Sequence, residues 1–158
     1  MKFSVIATCV LLFVSLQSST LYAGKLQEYR GEADQYYQKQ DYKKAYKTYF
    51  KLAKIGDHYS QGRIATMYAN GEGTRPDIAE AYAWAVLAAE GGDEAAAIKR
   101  DELLAQASDK AKAQKEAEKL KKKYGKDALA KKAEKREAMR ANHEMGGCTG
   151  SRLGCSKT

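Results

Sequence analysis

Proline occurs once in this 158-residue chain, tryptophan once, histidine twice and cysteine three times. One proline beside 13 glycines excludes a collagen-like or proline-rich chain. Three cysteines are too few for a disulfide-dense scaffold. His143-Glu144 opens like H-E-x-x-H, but Gly147 stands where the second histidine belongs, so that zinc site is excluded. Gly71-Glu72-Gly73 meets Pro76 where a dinucleotide fingerprint needs its third glycine, and no Walker-type loop occurs. His58 follows Asp57 at a helix start, which reads as a surface turn rather than a catalytic pair. With no nucleophile and base to pair, an enzyme acting on cell-wall material is the least supported reading, and no cofactor is implied.

Long charge-free runs are also scarce, and the first is informative. Lys2 precedes FSVIATCVLLFVSL (3–16), then QSST and Leu21-Tyr22-Ala23. A basic start, a short apolar core and a small residue at the cut predict a secretory signal peptide over 1–23. Fourteen residues are too short to cross a hydrocarbon core of about 30 Å, which argues against a membrane anchor. Cys9 lies within this segment, and Thr8 before it does not suit lipidation. The expected location is therefore secreted or periplasmic, an oxidising setting in which nucleic acid is not the expected partner.

What the chain has is a repeat. Shifted by 36, DYKKAYKTYFKLAKIGD (41–57) falls on DIAEAYAWAVLAAEGGD (77–93) with six identities in seventeen positions. In 41–54, Tyr42, Ala45, Tyr46, Tyr49, Leu52 and Ala53 share one helical face, opposite Lys43, Lys47, Lys51 and Lys54. The stretch 81–89 carries no charge, so its helix should be buried on more than one side. Asp77 and Glu80 resemble a capping box, and Gly91-Gly92 ends that helix. Three helix pairs follow: 25–39 with 41–55, 57–70 with 77–90, and 93–107 with 108–124, the last helix starting at Ser108. The expected fold is all-α, a short α-solenoid of about three stacked antiparallel helix pairs over 24–108.

The segment 56–93 resembles a Sel-one-like repeat, a relative of the tetratricopeptide repeat. The matching residues are Met67-Tyr68, Gly71-Glu72-Gly73, Asp77, Ala81, Trp84, Ala88-Ala89 and Gly92. The likeness extends over 31–108 and is weaker on either side of the middle unit. Where the family usually has a small residue followed by Leu-Gly, this chain has Gly62, Ile64 and Ala65. The resemblance implies a scaffold that binds proteins or peptides in a concave groove. Disulfide-rich relatives linked to β-lactam binding carry cysteine pairs inside each repeat, and this chain has none there.

Eight of eleven tyrosines fall between Tyr29 and Tyr68. Tyr46, Tyr49, Tyr68 and Tyr82 sit on predicted core faces, as does Trp84, whereas Tyr36, Tyr37 and Tyr59 are candidates for an exposed groove.

Residues 109–145 form a basic Ala/Lys/Glu-rich segment. Ala113, Ala117, Leu120 and Tyr124 make a thin apolar stripe that could cap the stack. After Gly125 the apolar residues are chiefly Leu129 and Met139. This part reads either as a solvated helix or as an electrostatic arm of Lys121, Lys122, Lys123, Lys131, Lys132 and Arg136 for an acidic partner. The Gly-rich tail, 146–158, holds Cys148 and Cys155. In an exported protein they would close an eight-residue disulfide loop, worth roughly 2–3 kcal/mol. A metal site with His143 is the rival.

The formal net charge of +8 is unevenly placed. Residues 24–105 hold 12 basic and 13 acidic side chains, and residues 106–158 hold 15 and 7. Two functions stay open: a non-enzymatic scaffold for a protein or peptide, and an electrostatic binder of anionic lipid or lipopolysaccharide phosphate. Self-association that extends the stack is a further possibility.

Overall fold

Five aspartates punctuate the chain at 41, 57, 77, 93 and 109, and each accepts a hydrogen bond from a backbone N–H in the first turn of the helix it starts. Such a cap contributes about 1 kcal/mol and fixes where each helix begins. The computed structural model describes residues 24–145. Among them, α1 covers 24–38, α2 Tyr42–Ala53, α3 His58–Asn70, α4 Ile78–Ala89, α5 Glu94–Gln106, α6 Lys110–Tyr124 and α7 Lys126–Met145. The described residues form no strand. No described helix is long and apolar enough to cross a membrane.

Helix α4 is the centre of the packing, as its charge-free run at 81–89 predicts. It packs against α3, α5 and α6, and it buries Ala81, Tyr82, Ala83, Trp84, Ala85, Leu87 and Ala88. The alanines let neighbouring backbones approach, while Trp84 fills the joint between helices. Its ring stacks on Tyr124 of α6 and meets Phe50 of α2 edge-on, each at 5.6 Å between centroids. Ala113 and Ala117 of α6 are buried, with Leu120 and Tyr124 packed on the same core.

The connection between α3 and α4 depends on glycine. Gly71 ends α3 in the left-handed region, and Gly73 follows with φ +73°. A Cβ on Gly73 would strike the Tyr42 backbone carbonyl, so the loop packs against the start of α2. Tyr68, beside this loop, shares a hydrogen bond of 2.8 Å with Tyr46. Ala89 is half-buried at the end of α4, and Gly92 is exposed with φ +83° in the turn to α5.

Four expectations need correction. Helix α6 starts at Asp109 rather than Ser108, because the carboxylate accepts from Lys112 N–H. The capping box at α4 is only half formed: Asp77 accepts from Ala79 and Glu80 N–H, but its own N–H donates to the Tyr68 carbonyl. Helices α5 and α6 are not a tightly packed pair. Both lie on α4 and touch each other only slightly, since Leu103 is the one fully buried side chain of α5. Asp57-His58 is not a surface turn, because Asp57 is buried and His58 Nδ1 lies 3.1 Å from the Leu87 carbonyl.

Candidate functional site

Arg30, Asp34 and Tyr37 recur at i, i+4 and i+7, so one face of α1 presents all three. That face lies against Tyr49 of α2 and against Tyr59 and Arg63 of α3. The Asp34 carboxylate accepts hydrogen bonds from the Tyr49 hydroxyl and, at 2.7 Å, from the Tyr59 hydroxyl. Tyr37 donates to Glu72 at 2.7 Å. The Arg63 guanidinium lies 4.0 Å from the centre of the Tyr37 ring and 5.5 Å from that of Tyr49. Arg63 forms no ion pair among the described residues, and its buried Nε meets no hydrogen-bond acceptor there. Arg30 pairs with Asp57, with Nε 2.9 Å from Oδ1, and sits 5.7 Å from the centre of the Tyr59 ring.

Burial alone would raise the Asp57 carboxyl. The hydrogen bonds from Arg30 and Ser60 outweigh it and hold Asp57 below the ordinary carboxylate value. Burial, then the bond to Glu72, pushes Tyr37 up to about 12. Burial and then Asp34 likewise raise Tyr49 and Tyr59. All three therefore stay neutral phenols at physiological pH, and the arginines stay charged. The cluster offers fixed aromatic faces around a cation, an arrangement suited to holding an aromatic or acidic side chain.

Of the tyrosines proposed for a groove, the fold brings Tyr37 and Tyr59 to this cluster and leaves Tyr36 apart. Tyr59 is 44% exposed, and Tyr37 is half-buried. Tyr36 donates to Glu32, and its ring lies beneath Lys44. Arg30, Asp34 and Arg63 are additions that the sequence reading missed. The i, i+4, i+7 spacing on α1 was the available signal.

The basic arm forms a second candidate. Its start is held to the body by Glu90, which accepts from Lys126 N–H at 3.0 Å and lies 3.7 Å from Lys121 Nζ. Leu129 reaches the α2–α3 corner, where a Cβ on Gly56 would come within 2.8 Å of it. Lys132 donates to the Lys123 carbonyl. Lys121, Lys122, Lys131 and Lys132 line an open cleft of about 670 Å³ between α6 and α7. Lys123 and Arg136 are exposed outside it, and every side chain from 130 to 143 is exposed.

Among the described residues no three His, Cys, Asp or Glu side chains converge as a metal site. The expected leader, 1–23, and the Cys148–Cys155 loop lie outside the described residues. No family model matches the chain, and neither a curated protein nor a solved structure matches it. The Sel-one-like resemblance rests on its motif residues alone.

Proposed function

We propose that this chain is an exported, non-enzymatic helical-repeat scaffold of the Sel-one-like kind, binding a protein or peptide in the cell envelope. A solenoid-like stacking of α1–α2 on α3–α4 belongs to the same proposal, and its support is the 36-residue period that relates α2 to α4. The observation that carries the binding role is Arg63, a cation without an ion pair among the described residues, set on the Tyr37 ring beside exposed Tyr59. Residues of these types dominate binding energy where partners meet. The test is capture from a cell-envelope extract with residues 24–158. Tyr59→Ala and Arg63→Ala should each abolish capture of the same partner, with helical content unchanged. Undiminished capture by both variants would sink the proposal.

A second reading has its own observation, the exposed lysines and arginines of α7 and the cationic cleft at its base. On this reading the arm docks on anionic lipid or lipopolysaccharide phosphate. Salt separates the two. Screening extends to about 3 Å in 1 M salt, so arm-driven binding should collapse there while groove-driven binding survives.

A further inference from the structure

A groove of about 390 Å³ runs between α1 and α2. Leu26, Tyr29, Leu52 and Ile55 form its floor and walls, with Tyr29 52% and Ile55 56% exposed. Large apolar side chains grouped in this way mark an interaction surface more often than isolated ones do.

The 36-residue register shows what such a surface does elsewhere in the same chain. Within the aligned segment, Thr48 and Lys51 of α2 correspond to Trp84 and Leu87 of α4, which are both buried. Trp84 is buried partly by Phe50, a residue of the preceding helix pair. In α3–α4 this face is therefore the one that receives a neighbouring pair. On α2 the matching face borders the groove, with Leu52 buried in its floor and Lys51 and Ile55 exposed.

We propose that a second copy of this chain covers the groove, face to face about a two-fold axis. The rim supports that occupant. Glu32 and Lys25 on α1 and Lys51 on α2 border the apolar floor, so the rim carries charges of both signs. A two-fold copy sets one protomer's Glu32 against its partner's Lys51 twice over, which makes the face self-complementary. The inference stands apart from the proposed function, since a dimer joined here leaves the Arg63 cluster to be tested separately.

The test is sedimentation equilibrium of residues 24–158 in reductant, so that Cys148 and Cys155 cannot cross-link copies. A reversible monomer–dimer equilibrium is expected below about 200 µM. Ile55→Glu should weaken it at least about tenfold, because it places a charge in the apolar centre. Glu32→Lys and Lys51→Glu should each weaken it when alone, and an equimolar mixture of the two should restore a mixed dimer. Circular dichroism checks that each variant keeps its helices. A chain that stays monomeric, or an Ile55→Glu variant that dimerises unchanged, would overturn the proposal. So would dimers that form only when residues 1–23 are present, because the groove's occupant would then be that segment.

Discussion

Helices α4 and α7 are both rich in alanine, yet one is the centre of the molecule and the other is exposed along most of its length. Alanine forms helix readily and is indifferent to burial, so it explains why both are helical and nothing more. The difference lies in what stands between the alanines. In α4 these are Ile78, Tyr82, Trp84, Val86 and Leu87, with Glu80 the one charged residue. In α7 they are mainly lysine, arginine and glutamate, and after Leu129 nothing large and apolar recurs until Met139, which is 58% exposed. A helix of 20 residues extends about 30 Å, so most of α7 lies beyond the reach of its anchors at Glu90 and Gly56. The stability of α4 is tertiary, and that of α7 is local.

The sharpest way to break this contrast is to empty the centre. Trp84→Ala should cost about 3–5 kcal/mol, because the cavity lies between α2, α4 and α6 at once. Urea unfolding at neutral pH measures it, and Met139→Ala in α7 should cost less than about 0.5 kcal/mol in the same assay. Arg30→Ala is the next largest. It leaves the Asp57 carboxylate buried without its cation, at a cost of roughly 2–3 kcal/mol at pH 7. Asp57 is held below its ordinary value, so the stability it provides is present above that value and disappears as pH falls through the lowered one. The deficit of Arg30→Ala relative to the parent chain should therefore shrink in acid.

A smaller effect belongs to the arm. Deleting 126–158 removes the Glu90 cap of α7 and the contact of Leu129, but no fully buried side chain among the described residues. The remaining body should lose only about 1 kcal/mol, while the helical signal falls by the share of α7. A body that unfolds after this deletion would show that the arm is part of the core.

Much of this division was legible in the sequence. The charge-free run at 81–89 marked α4, and the glycines after 55, 70 and 90 marked the turns, because each depends on a short window. Contacts across long separations were harder to read. Arg30 and Asp57 are 27 residues apart, and Glu90 caps a helix that starts 36 residues later. No local pattern announces such pairings. The expected α5–α6 pair misled for a related reason: sequence adjacency suggested a hairpin, but α5 has one fully buried side chain, Leu103, and α4 attracts both helices. At the candidate site the tyrosines were visible as residue types, but the partition between Tyr37 with Tyr59 on one side and Tyr36 on the other is set by helix rotation.

The least effect concerns the single charge in α4. Glu80 is half-buried, and burial, followed by Glu116 and Asp77, raises its carboxyl above the ordinary value. A raised carboxyl favours the folded state while protonated. Its favourable contribution is complete below the ordinary glutamate value and is lost as pH rises through the raised one. At neutral pH the ionised group therefore opposes folding, and Glu80→Gln should raise stability. That gain should vanish as the pH is lowered below the ordinary glutamate value, where both side chains are neutral. Glu137→Gln, the same chemical change on exposed α7, should alter stability by less than about 0.3 kcal/mol. Paired thermal or urea melts at pH 7 and in acid measure both. Equal responses would mean that Glu80 is as well hydrated as Glu137 and that α4 does not enclose its only charge.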